Sequence, residues 1–158
     1  MTPLAKIKEI KPIDVLLFAS PGGHLDQLIQ IYKKLDVKCL LVVDDKISDD
    51  QSLDLNYITL KSGERYLIWI NIFKCILILF KSRPKVIIST GAGSALIFFI
   101  LSKMICSKTI FIESIARVTS LSLTGRLSKK LVTKFYVQWP ELADKEQVNY
   151  HGRIKFYD

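Results

Sequence analysis

The sequence predicts an α/β fold, a doubly wound parallel sheet of Rossmann-like type, on three observations. Short continuous apolar runs alternate with stretches whose apolar residues recur at helical spacing. Two of those runs end in glycine corners that open helices, Ser20-Pro21-Gly22-Gly23 and Thr90-Gly91-Ala92-Gly93-Ser94. The chain has 158 residues, length for one such domain and not for two.

Met1 to Pro12 reads as a lead segment, with Leu4, Ile7 and Ile10 three apart, and residues 13–158 as the domain. The apolar run that ends in Phe18-Ala19 is a buried strand. After Gly22-Gly23, residues Leu25, Leu28, Ile29, Tyr32 and Leu35 mark the buried side of a helix. Cys39–Val43 is a second buried strand, Asp44 to Asn56 a polar surface loop, Tyr57–Leu60 a shorter strand, and Lys61 to Glu64 a turn. Tyr66–Phe80 is apolar almost all round a helix, relieved by Asn71 and Lys74. Such a helix is buried on both sides or faces lipid. At about 15 residues it is roughly 22 Å long, too short for a hydrocarbon core of ~30 Å. Pro84 ends it, Val86–Ser89 is the next strand, and Ala95–Leu101 the helix after the second glycine corner. Thr109–Ile112 leads to Glu113 and a loop containing Arg117. Thr124–Val132 reads as a helix, Phe135–Val137 as the last strand, and Trp139-Pro140 opens a polar tail.

Hydrophobic residues make up 49% of the chain and its formal charge is +8. A greasy, basic chain suits a membrane surface, which offers apolar and anionic contacts together. Nucleic acid is the other usual partner of positive charge, but no helix-turn-helix, zinc-finger or RNP pattern is present. Cys39, Cys75 and Cys106 are far apart, without CxxC or Cys/His spacing, which argues against a metal site and for buried thiols in a reducing compartment. The first residues lack the apolar core of a signal peptide.

In the strand order 3-2-1-4-5-6 the first and fourth strands are neighbours, and their diverging loops leave a crevice. Here those loops are the two glycine corners, so two helix N-termini are expected to point into one crevice, an arrangement suited to a diphosphate. A nicotinamide-binding domain is a rival, with Asp44 or Asp45 as its ribose acid, but the corner reads SPGGHL and not GxGxxG. The P-loop signature is missing.

GGH after the first strand, ISTGAGSA at 88–95, TIFIESIARV at 109–118, LTGRL at 123–127 and VQWPEL at 137–142 together carry a family resemblance. The chain resembles, from about Val15 to Gly152, the membrane-anchoring subunit of the two-part UDP-N-acetylglucosamine transferase of asparagine-linked glycosylation, and its bacterial PssD-type relatives, the "glycosyltransferase enhancer" proteins of capsule and exopolysaccharide synthesis. The resemblance implies the N-terminal half of a GT-B glycosyltransferase, similar to the acceptor domain of MurG. It implies a polyprenyl-diphosphate-linked sugar as acceptor and a second glycosyltransferase subunit with the nucleotide-sugar site. The chain is not expected to be active alone, and it is placed on the cytoplasmic face of the membrane. The eukaryotic subunit carries an N-terminal span, which Met1 to Pro12 is too short and charged to match.

Within that frame His24 and Glu113 are the catalytic candidates. His24 serves as base on the acceptor hydroxyl or as a hydrogen bonder to phosphate. Glu113 serves as base or sugar-hydroxyl ligand, or else pairs with Arg117. Gly22, Gly23, Gly91, Gly93, Ser94 and Arg117 are the candidate diphosphate contacts. Leu67, Trp69, Ile70, Phe73, Lys74, Leu77 and Lys81 are assigned to the membrane, and Trp139 and Pro140 to the partner subunit. No cofactor, metal or nucleic acid is expected. The competing class is a non-catalytic membrane scaffold that recruits and stabilises the catalytic subunit.

Overall fold

A computed structural model describes Ile7 and residues 9–44, 57–60 and 65–155, with side chains of 65–68 excepted. Most of the lead segment, the acidic loop after Asp44 and the turn at Lys61 to Glu64 lie outside the described residues.

In chain order the elements are β1 (Val15–Ala19), α1 (Gly23–Tyr32), β2 (Cys39–Asp44), β3 (Tyr57–Leu60), α2 (Arg65–Ser82), β4 (Val86–Gly91), α3 (Ala95–Ser102), β5 (Lys108–Ile112), α4 (Leu123–Ser128), β6 (Lys134–Val137), α5 (Pro140–Glu146) and β7 (Asn149–Tyr150). The strands form one sheet in the order β3-β2-β1-β4-β5-β6-β7, and every pairing is parallel. The order expected from the sequence is therefore present, with β7 added at the edge. All five residues of β1 are buried, because a central parallel strand is covered on both faces.

Among the described residues one face carries α1: Leu25 and Leu28 pack with Leu17, Ala19, Leu41 and Ile88. The other face carries Cys75, Ile78 and Leu79 of α2, Phe98 and Phe99 of α3 and Leu142 of α5, gathered over Leu16, Phe18, Ile87, Phe111 and Phe135. Rings interlock there, with Phe18 and Phe98 centroids 4.8 Å apart and Phe111 stacked on Phe135 at 5.2 Å.

Several details depart from expectation. Helix α4 ends at Ser128 and not at Val132. The polar tail instead forms α5, with Pro140 in its first turn where a missing N–H costs nothing, and then β7. Strand β4 runs through Thr90 to Gly91, so the second corner begins inside the sheet. Its pairing with β1 shifts register there: Phe18 faces Ser89 but Ala19 faces Gly91, leaving Thr90 as the extra residue of a bulge. Of the three free thiols only Cys75 is buried; Cys39 is half-buried and Cys106 exposed. Burial, reinforced by Asp44 and opposed by Lys74, pushes the Cys75 thiol up to about 12, which leaves it protonated and inert near neutrality.

Candidate functional site

The two glycine corners stand side by side at the C-terminal ends of β1 and β4, joined by Ser20 N–H donating to the Gly91 carbonyl at 3.1 Å. Gly22 caps α1 with φ +84°, a left-handed conformation that glycine adopts without the Cβ penalty. No side chain caps this helix. Its first intrahelical bond runs from Asp26 N–H to the Gly22 carbonyl at 3.1 Å. The N–H groups of Gly23, His24 and Leu25 precede that bond and supply the positive end of the helix dipole. A Cβ at Gly22, Gly23 or Gly93 would meet no atom within 4 Å, so the space beside these residues is open.

The second corner differs. Gly91 is buried, its N–H donates to Ser89 Oγ at 3.2 Å and its carbonyl accepts from Ser20. Its expected contact with a diphosphate is therefore corrected: its backbone groups already have partners within the protein. The Ser94 hydroxyl donates to Asp44 Oδ2 at 2.8 Å, tying β2 to the start of α3. Asp44, the ribose acid of the nicotinamide rival, thus binds the protein's own serine. The N–H groups of Ala95 and Leu96 bond the carbonyls of Ala92 and Gly93 in a tight turn. Gly93 remains exposed at the rim.

His24 sits where the corners meet. Its carbonyl accepts from Thr90 Oγ1 at 2.6 Å, and its ring lies against Gly91. Glu113 is 1% exposed. Its Oε1 accepts from Ser114 N–H at 3.0 Å, and its Oε2 from Ser122 N–H at 2.9 Å and Ser122 Oγ at 3.0 Å. A buried carboxylate needs such partners. Glu113, expected as base or sugar-hydroxyl ligand, has both carboxylate oxygens engaged within the chain and fastens the loop between β5 and α4. Ser122 Oγ in turn accepts from Gly125 N–H at 2.9 Å and caps α4. Both oxygens being taken, Glu113 forms no ion pair with Arg117, whose side chain is exposed on that loop.

Two residues that the sequence did not single out hold this loop to the first corner. The Gln27 amide donates to the Gly23 carbonyl at 3.0 Å and accepts from Ile115 N–H at 3.1 Å. Gln138 donates to Gln27 Oε1 at 2.5 Å and to the Glu113 carbonyl at 3.0 Å, and accepts from Ile154 N–H at 2.8 Å. Both amides are buried. Trp139 is half-buried, its indole N–H donates to the Ile115 carbonyl at 2.6 Å, and the Arg153 guanidinium lies 3.6 Å from its ring centroid. Its visible work is internal, and Pro140 starts α5.

Of the residues assigned to the membrane, Trp69, Ile70 and Phe73 are 74%, 43% and 58% exposed. Lys81 is exposed as well. Lys74 is buried, so its assignment is corrected, and Leu77 is half-buried against the core. The Leu67 side chain lies outside the described residues. The exposed stripe continues through Ile100 on α3, Met104 just after it, and Leu123 and Leu127 on α4. Helices α2, α3 and α4 are neighbours in that order. No helix among the described residues is long and apolar enough to cross a membrane.

A doubly wound sheet of this order, with a crevice at its central switch point, is a Rossmann-like α/β fold of the kind that forms each lobe of a GT-B protein. The solved structure of MurG from Acinetobacter baumannii has this fold, with a TM-score of 0.71 and 11% identity over 90% of this chain, which spans 44% of that one. The chain belongs to the family described as "oligosaccharide biosynthesis protein Alg14 like", whose model matches residues 64–154. Two relatives extend the match. The UDP-N-acetylglucosamine transferase subunit of Candida albicans is 30% identical, covering 93% of this chain and 80% of the relative. That of Schizosaccharomyces pombe is 27% identical, covering 89% and 82%.

Proposed function

We propose that this chain is the acceptor-binding, membrane-associated subunit of a two-component glycosyltransferase. It holds a polyprenyl-diphosphate-linked sugar while a second subunit carries the nucleotide sugar. The observation that carries this reading is the crevice: an uncapped helix N-terminus at Gly22-Gly23, the open rim at Gly93, and His24 between them. A phosphate is placed on the first-turn N–H groups of α1, with Gly93 and Ser94 flanking and Arg117 within the neighbouring loop. The names of the relatives supply the donor class, a UDP-linked N-acetylglucosamine on the partner. We assign the product to a bacterial-type surface polysaccharide, capsule or exopolysaccharide, on the PssD-type resemblance.

The stripe from Trp69 to Leu127 is the membrane face in this reading, and the exposed Lys81 on α2, Lys103 just after α3 and Arg126 on α4 answer an anionic cytoplasmic leaflet. Glu113 positions the loop that walls the crevice. Trp139, Pro140 and the segment beside them are assigned to the side that meets the partner.

Co-expression with the partner subunit, followed by transfer of labelled nucleotide sugar to a lipid-linked acceptor in anionic vesicles, tests the proposal. Transfer is expected only with both chains, and His24→Ala is expected to remove most of it. Full transfer by a His24→Ala pair would reduce this chain to a scaffold.

A further inference from the structure

His24 came from the sequence with two possible tasks, proton acceptor or hydrogen-bond donor, and its surroundings separate them. The bulge in β4 places Thr90 and Gly91 directly beneath this residue. The Thr90 hydroxyl fixes the His24 backbone, and Gly91 gives the imidazole a seat that no other residue leaves free. A Cβ there would lie 2.7 Å from Cε1, 2.8 Å from Nδ1 and 3.2 Å from Nε2. The ring thus lies with its face against Gly91 of the strand. Nδ1 is the nitrogen turned inward: it is buried and has no hydrogen-bond partner among the described residues.

A neutral imidazole carries its proton on one nitrogen and a lone pair on the other. A histidine that accepts a proton at Nε2 keeps its own proton on Nδ1, normally held by a carboxylate or a carbonyl oxygen. No such acceptor faces Nδ1 among the described residues, and the carboxylate of Glu113 gives both its oxygens to Ser114 and Ser122. A proton on Nδ1 would be a buried donor with nothing to receive it, and buried unmet donors are rarer than unmet acceptors.

We propose that His24 keeps its proton on Nε2 and donates it as a hydrogen bond to an anionic oxygen of the acceptor's diphosphate, and that Thr90 and Gly91 are the positioning residues that impose this state. His24 is then a binding group, and the proton of the attacking hydroxyl is taken up elsewhere in the assembled pair. The inference rests on the acceptor-subunit reading for the identity of the anion, but not for the state of the ring.

The test has two arms. In the 15N-labelled full chain at mildly alkaline pH, the imidazole nitrogen shifts of His24 are expected to show a protonated Nε2 and a bare Nδ1; the reverse assignment overturns the proposal. In the reconstituted pair, His24→Gln keeps an N–H near the place of Nε2 but cannot accept a proton. It is expected to hold kcat within about threefold and raise the KM for lipid acceptor about tenfold, with His24→Ala raising that KM further. Loss of kcat by a factor on the order of 10²–10⁴ in His24→Gln, with the acid limb of the pH profile abolished, is what a general base would give and overturns the donor role. Thr90→Val is expected to raise the same KM, and Thr90→Ser to restore it. A wild-type pair that transfers to no lipid-linked acceptor would sink the functional reading alone, since the ring's protonation is read without substrate.

Discussion

At the first corner Gly22 and Gly23 are exposed, nothing caps α1, and the first-turn amides have no partner inside the helix. At the second, Gly91 is buried under His24, Ser94 is bound to Asp44, and the amides that open α3 are closed in a tight turn. The sequence pattern is the same in both places: apolar strand, glycines, helix. The difference lies in what each glycine makes room for. Gly22 and Gly23 leave space for something outside the chain, whereas Gly91 leaves space for the chain's own histidine. A glycine-rich turn therefore shows that backbone must come close to something, and only the fold shows to what.

Substitutions sharpen this contrast. The largest effect is expected at Gly91, where φ is +133° and the histidine ring blocks a side chain. Gly91→Ala should cost about 3 kcal/mol of stability in chemical denaturation, from backbone strain and overpacking together. Ser94→Ala removes one hydroxyl-to-carboxylate bond and should cost about 1 kcal/mol in the same measurement. Gly93→Ala meets no atom within 4 Å and should stay within about 0.5 kcal/mol of the parent. If Gly91→Ala proves as mild as Gly93→Ala, the two corners are equivalent and the contrast is wrong.

The strand order could be read from the sequence because parallel strands covered on both faces are continuous apolar runs, and Val15–Ala19 is the clearest of them. The meeting of the two corners followed from that order. The bulge at Thr90 could not be read, since one extra residue in a ladder is a property of the pairing and not of either strand. Glu113 looked available because acids at strand ends are usually solvated; its burial depends on Ser122, nine positions along the chain. Ser122 ahead of the LTGRL block was a usable sign, as serine is a favoured N-cap. Lys74 read as an outward cation in an apolar helix, yet it is buried, close enough to Cys75 to act on its thiol. The pairing of Gln27 with Gln138 could not be read, since the two amides are 111 positions apart, although Gln138 lies within the VQWPEL block.

Those two glutamines also constrain how new specificities arise on this scaffold. The segment between β5 and α4 is fastened at Ser114 and Ile115 by Gln27, and at Glu113 by Gln138. Loop exchange among relatives is consequently a three-segment operation. Residues 113–122 must travel together with the amides at 27 and 138, or they arrive in the new host without their fastenings.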